Sequence, residues 1–206
     1  MPILKQTFWE RSGIDKYSYR NFVETGSYRG FTIDNLIDEY DVIHSIELSS
    51  KWYGYCLKKF SNHGHVHLYE GDSRSILPMV LENINEPAVI FLDAHYSGGT
   101  TARLEKDTPL LEELDIVGQR LYPDIVIIDD ISFLGQKGGN EPDEPVSDDD
   151  VWPAFAYDWS ETTETAILAK LKPGYALVTN ENNLMTSSSR EDQYILYPSS
   201  HSPDSN

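Results

Sequence analysis

The stretch Asn21-Phe22-Val23-Glu24-Thr25-Gly26-Ser27-Tyr28-Arg29-Gly30 opens an apolar run and ends it in a glycine-bearing turn. Ile33, Leu36, Ile37 and Tyr40 follow at i, i+3, i+4 and i+7, one face of a helix. A second apolar run, Val42-Ile43-His44-Ser45-Ile46-Glu47, comes directly after. This strand–turn–helix–strand unit sets the reading of the rest of the chain.

The unit repeats downstream. Tyr53, Cys56, Leu57 and Phe60 mark the next helix, and His65-Val66-His67-Leu68-Tyr69 the third strand, closed by Glu70-Gly71-Asp72. Ser73 is placed to cap a helix whose stripe is Ile76, Leu77, Val80, Leu81 and Ile84. Ala88-Val89-Ile90-Phe91-Leu92 is continuously apolar and ends at Asp93. Such a run suits a strand buried on both faces, as in a parallel sheet. Leu110, Leu114 and Val117 mark a helix, and Ile125-Val126-Ile127-Ile128 runs into Asp129-Asp130. Five strand–helix repeats predict right-handed crossovers and an open α/β sheet.

The ending differs. Residues 135–159 read as a mobile acidic and aromatic loop. A helix is expected over about Ser160–Leu171, stopped by Pro173-Gly174, and then two strands at Tyr175–Thr179 and Gln193–Tyr197, with a hairpin between them over Asn180–Asp192. Residues 1–206 read as a single domain, with 1–20 as an N-terminal extension and 199–206 as a frayed tail.

Composition excludes several classes. With 34 acidic and 16 basic residues the net charge is −18. No basic block exists to release counterions from nucleic acid or to hold an anionic membrane surface. The charge suits a cationic small ligand, a metal or a neutral polar substrate. Cys56 is the one cysteine, so no intrachain disulfide and no cysteine-based zinc knuckle can form, and a reducing compartment is expected. No apolar run nears the roughly 20 residues that span a bilayer. The first ten residues lack the apolar core of a secretory signal. These readings together place the protein in the cytoplasm.

In open α/β sheets, ligands bind beyond the carboxyl ends of the strands. Glu24, Glu47, Asp93 and Asp129-Asp130 end strands here, and Asp72 lies in the turn after the third. The turn Glu24-x-Gly26-x-x-x-Gly30 allows close backbone approach to a ligand. Glu47, 23 residues after Glu24, is placed to bind ribose hydroxyls. Tyr28 occupies the middle-glycine position of a dinucleotide motif, and a turn that opens with an acid suits a cation better than a pyrophosphate. The plain alternative is a tight turn with a solvated acid.

Asp93, Asp129 and Asp130 would raise one another's pKa on converging, and a divalent cation would resolve that conflict. Oxygen ligands select magnesium, manganese or calcium. The plain alternative is that the acidic pair caps the following loop and Asp93 binds a backbone amide. His95 is placed to take a proton as a neutral imidazole, or to bond the loop; Asp93 could itself be the base. His63, His65 and His67 alternate, and a structural role is the preferred reading of them. Trp152, Phe155, Tyr157 and Trp159 cluster after the acidic loop, fit either to stack on a ring or to anchor packing.

Phe22-Val23-Glu24-Thr25-Gly26 through Gly30, Ile46-Glu47, Gly71-Asp72-Ser73, Phe91-Leu92-Asp93-Ala94-His95 and Ile127-Ile128-Asp129-Asp130 together resemble class I S-adenosylmethionine-dependent methyltransferases. The resemblance spans about residues 20–197. It is closer to the metal-dependent sugar O-methyltransferases of the macrocin and novobiocin type. It implies a Rossmann-like seven-stranded methyltransferase sheet of order 3-2-1-4-5-7-6, with strand 7 antiparallel and helices on both faces. The implied cofactor residues are Glu24, Thr25, Gly26, Ser27, Tyr28, Gly30, Glu47, Leu48, Gly71, Asp72, Ser73 and Asp93. Glu24 and Gly26 would hold the methionine part, Glu47 the ribose, and Asp72 with Ser73 the adenine; Trp52, Tyr53 and Tyr55 would serve as core or adenine-side packing.

Asp93, Asp129 and Asp130 would hold magnesium or manganese, with His95 or Asp93 as the base. Residues 135–159 would close over the acceptor. The chain departs from the pattern at Tyr28 and in Asp93-Ala94-His95-Tyr96, where the subgroup has Asp-x-Asp. The expected partner is a sugar or glycan, with homo-oligomers or fusion to a larger glycan-building enzyme in keeping with relatives; nucleic acid and membrane insertion are not expected. Two alternatives stay open: a metal-independent methyltransferase of a small molecule or protein side chain, and a non-catalytic binding protein.

Overall fold

Every residue of the strands β1 (Asn21–Thr25), β4 (Ala88–Leu92) and β5 (Ile125–Ile128) is buried. A strand buried on both faces must be covered by helices on both sides. The computed structural model describes residues 3–96, 101–102, 104–140, 155–170, 172–179, 185–186 and 192–199. With β2 (Val42–Glu47), β3 (Val66–Glu70), β6 (Tyr175–Thr179) and β7 (Tyr194–Pro198), these strands make a seven-stranded sheet of order β3-β2-β1-β4-β5-β7-β6. The first five are parallel, and β7 runs antiparallel to both β5 and β6. The expected sheet order and strand directions are found.

Alternation within each strand divides the core. Phe22, Ile43, Phe91, Ile127 and Ile195 face one layer, and Val23, Ile46, Ile90, Ile128 and Tyr194 the other. On the first face lie α1 (Gln6–Ser12), α2 (Phe31–Leu36) and α3 (Ser50–Lys59), through Phe8, Ile33, Leu36 and Cys56. On the second lie α4 (Ser73–Glu82), α5 (Leu110–Gly118) and α6 (Glu164–Leu168), through Leu77, Leu114 and Ile167.

Leu4, Phe8, Trp9 and Tyr19 of the N-terminal segment belong to this core. Phe8 and Trp9 of α1 are buried, and the Phe8 ring meets Tyr197 edge-on at 5.5 Å. The short strand Ile3–Leu4 pairs with Met185–Thr186, inside the stretch expected as a hairpin.

Local hydrogen bonds shift several boundaries. Asp72, not Ser73, caps α4, because its carboxylate accepts from the Arg74 N–H at 2.9 Å. Asp158 accepts from the Ser160 N–H, and Thr163 caps at Ala166, so α6 is shorter than expected. Lys137–Asn140 and Phe155–Asp158 pair as antiparallel strands within the segment expected as a loop. Trp152 and the other residues of 141–154 lie outside the described residues, as do 200–206.

Candidate active site

The register of the sheet builds the site. Thr25 is aligned with Ile46 and Leu92, and Leu92 and Tyr194 with Ile128. One step further along, Glu47, Gly26, Asp93, Asp129 and Gln193 form one row across five strands. The ladder continues into this row: Gly26 N–H donates to Ile46, Asp93 N–H to Thr25 and Asp129 N–H to Leu92. Because side chains alternate with period two, the row faces the same side as Glu24, Phe91 and Ile127 one pleat deeper. Glu24 is therefore fully buried.

Gly26 has a close structural requirement. Its φ is +88°, and a Cβ there would stand 2.5 Å from the Asp93 carbonyl oxygen. The glycine thus lets the first turn pass against the end of β4. Tyr28 takes a left-handed conformation, φ 43°, as a glycine would. Its N–H donates to Glu47 Oε2 at 2.7 Å, and the Ser49 N–H donates to Glu47 Oε1 at 2.7 Å. Its ring lies 4.6 Å from that of Trp52.

A cavity opens above the Glu47, Gly26 and Asp93 part of this row. It is lined by Gly26, Tyr28, Glu47, Leu48 and Trp52, by Gly71, Asp72 and Ser73, and by Asp93, His95 and residues of the loop before α5. The cofactor residues expected at the turn surfaces thus meet at one site. Glu24, Thr25 and Ser27 lie beneath the cavity wall: all three are buried, and Glu24 Oε1 accepts from the Ser45 hydroxyl at 2.6 Å. Gly30 serves packing, since a Cβ there would strike the Phe60 ring at 2.5 Å. Asp72 reaches the wall, but Arg74 engages both its oxygens, at 3.0 and 2.7 Å. That pair holds the Asp72 carboxyl below its usual range.

The acids crowd one another. Burial pushes Glu24 up to about 8 against the hydrogen bond from Ser45, and nearby Asp93 adds to the rise. Burial likewise raises Asp129 to about 7, helped by Asp93 and Asp130. His95 stands among them. Its Nδ1 is 3.2 Å from Asp93 Oδ1, and its Nε2 is 2.7 Å from Asp130 Oδ2. Burial would lower the His95 pKa, but the two carboxylates outweigh it and hold it well above the ordinary value.

The expected metal does not fit this arrangement. Among the described residues no three His, Cys, Asp or Glu side chains are grouped to hold a metal ion. His95 stands between Asp93 and Asp130, and Asp129 meets Gln193 instead. The repulsion that called for a divalent cation is answered in part by an imidazole. The three alternating histidines also separate: only His67 lies in β3, where it stacks on His44 at 5.2 Å, while His65 Nε2 meets the Ile37 carbonyl at 2.9 Å.

Three residues were not singled out from the sequence. Gln193 ends the row, and its only signal was a polar residue at the start of a strand. Asp107 lines the cavity and accepts from the Asp158 N–H at 2.7 Å, tying the paired strands 137–140 and 155–158 to the site. Glu113 of α5 is buried behind the cavity, facing Ser73 and Thr25, and burial raises its carboxyl to about 7. Trp159 is buried, with its ring 5.7 Å from His95 and 5.8 Å from Phe133.

No protein-family model matches the chain, and no curated protein sequence matches it significantly. Solved structures do. An O-methyltransferase from Bacillus cereus in complex with S-adenosylhomocysteine aligns with a TM-score of 0.55 at 12% identity, over 92% of this chain and 79% of that one. The methyltransferase PaMTH1 from Podospora anserina, also bound to S-adenosylhomocysteine, aligns with a TM-score of 0.54 at 14% identity, over 93% and 77%. An S-adenosylmethionine-dependent methyltransferase from Clostridium acetobutylicum gives 0.51 at 12% identity, over 93% and 89%. At such identities the likeness is one of fold, and the chain has the Rossmann-like fold of S-adenosylmethionine-dependent methyltransferases.

Proposed function

We propose that the protein transfers a methyl group from S-adenosylmethionine to a hydroxyl of a sugar or glycan. The observation that carries the reading is the placing of Asp93 and His95 on the wall of the same cavity as the Gly26 turn. When bound, S-adenosylmethionine supplies an electrophilic methyl group on a sulfonium centre. The residues present fit it. Glu24 Oε2 is buried without a hydrogen-bond partner, and an ammonium near it would relieve that cost. Tyr28, Leu48 and Trp52 offer an apolar wall to the adenine. Glu47 accepts backbone N–H groups of Tyr28, Ser49 and Leu48, and its four lone pairs leave room for a ribose hydroxyl.

With the methyl donor bound, Asp93 would take the proton of the acceptor hydroxyl as that oxygen gains the methyl group. His95 has both ring nitrogens turned to carboxylates, so it orients Asp93 and spreads its charge toward Asp130. This donor arrangement supports a metal-independent mechanism. Phe133 and Tyr157, half-buried next to Trp159, offer ring faces to the apolar side of a sugar. The acidic surface also supports an uncharged or cationic acceptor over nucleic acid. A reducing compartment belongs to the same proposal, as Cys56 is buried and free of any disulfide.

The test is titration of S-adenosylhomocysteine by calorimetry, then transfer of a labelled methyl group to a sugar panel with and without chelator. Micromolar binding and chelator-resistant transfer to a hydroxyl are expected. Failure to bind the cofactor product overturns the methyltransferase reading. Transfer that chelator abolishes and magnesium restores overturns the metal-independent mechanism.

A further inference from the structure

Gln193 closes the polar row at the carboxyl edge of the sheet, directly across from Asp129. The residue is 4% exposed, and its side-chain carbonyl Oε1 has no hydrogen-bond partner. Its amide group is turned to Asp129. A buried carbonyl left without a donor is unfavourable, so a ligand that supplies one is favoured there. The nearest polar neighbours in the row, Asp129 and Asp93, are carboxylates. The imidazole of His95 is committed to Asp93 and Asp130. The row therefore lacks a donor at its outer end.

We propose that Gln193 binds the acceptor, its Oε1 receiving a hydrogen bond from a second hydroxyl of the molecule whose first hydroxyl meets Asp93. The inference rests on the methyl-transfer reading above. Two strand spacings separate Gln193 from Asp93 along the row, roughly 10 Å between backbones. That span suits a ring bearing several hydroxyls rather than a small monohydric alcohol. The polarity is set as well. The amide hydrogens face a carboxylate, so the carbonyl is the end left for a ligand, and only a donor satisfies it.

The experiment uses the full chain saturated with S-adenosylhomocysteine, as wild type and as Gln193→Met. Methyl β-D-glucopyranoside is titrated into each, with cyclohexanol as the one-hydroxyl probe of similar ring size. The glucoside is expected to bind Gln193→Met at least ten-fold more weakly than wild type, with cyclohexanol and S-adenosylhomocysteine affinities unchanged. Gln193→Met also removes the amide donor to Asp129, so its melting temperature is expected to fall by a few degrees. Equal glucoside affinity in the two proteins overturns the proposal, and so does a glucoside that fails to bind wild type already loaded with S-adenosylhomocysteine. Loss of cyclohexanol and S-adenosylhomocysteine affinity by Gln193→Met in step with the glucoside would assign Gln193 a structural role instead. Loss of S-adenosylhomocysteine binding by wild type would sink the methyl-transfer reading itself, a result distinct from the others.

Discussion

The two edges of the sheet both bury charge, but they treat it differently. At the amino edge, Asp124 is fully buried and fully matched. The Ala88 N–H donates to it at 3.0 Å, and Arg120 Nε at 2.8 Å. Arg120 spends its other N–H groups on the carbonyls of Leu81, Ile84 and Glu86. At the carboxyl edge, Glu24, Glu47, Asp93 and Asp129 face one another, and all four carboxyls are raised by burial. His95 is the basic group set among them, and Gln193 and Glu24 keep buried oxygens without partners. The Asp124 charge at the first edge is matched as folded. The second is complete only with a ligand that brings positive charge and hydrogen-bond donors.

Five substitutions break or sharpen that contrast. Asp93→Asn is expected to cost about 10²–10⁴ in kcat, the usual worth of a proton-accepting group, with cofactor affinity little changed. Steady-state kinetics on an acceptor found by the sugar panel would check it, and a loss confined to KM would contradict the base role. Arg120→Ala strikes the other edge. It strands Asp124 and should cost ~3–5 kcal/mol in denaturant unfolding, since breaking a buried pair leaves an uncompensated charge. If the loss is no larger than for an exposed pair such as Lys16–Glu39, the contrast between the edges fails.

Gly26→Ala places a methyl group against the Asp93 carbonyl at a left-handed φ. Strain of about 1–3 kcal/mol is expected, together with weaker cofactor binding, as read by unfolding and calorimetry. Glu24→Gln tests the crowding of acids through pH. The folded protein holds the Glu24 proton up to about 8, whereas the unfolded chain releases it near its ordinary value of 4.5. Wild-type stability therefore falls as pH rises between those values. Glutamine does not titrate, so its gain in melting temperature should be near zero at pH 4.5 and largest at pH 8. A gain that is the same at both values would remove Glu24 from the crowded set. Tyr28→Gly is expected to be the mildest for stability. It relieves a left-handed tyrosine, worth about 1–2 kcal/mol, but loses the ring contact with Trp52. The two nearly cancel in thermal unfolding, while cofactor affinity falls.

Much of the site was legible because sheets are locally written. Apolar runs ending in Glu24, Glu47, Asp93 and Asp129 placed those acids at one edge once a parallel sheet was inferred. The part that failed needed partners distant in sequence. The expected metal came from acids placed together without knowing what stood between them, and His95 stands between two of them. Asp72 looked free for a ligand, yet Arg74 two residues on takes both oxygens, a local signal that was missed. The segment 1–20 looked like an appendage because α1 is short, and its aromatic rings find their partners across the core.

The sequence by itself determined the class of fold and the acids at the strand ends, because strand periodicity, helix stripes and turn residues are properties of neighbours along the chain, while the strand order came only with the resemblance to a known family. Only the tertiary structure decided that Gly26 is required by a carbonyl 67 residues away, that Glu24 lies beneath the cavity while Asp93 lines it, and that Gln193 closes the row. Register, burial depth and hydrogen-bond matching are set by how strands far apart in the chain come to lie side by side, and no local pattern encodes them.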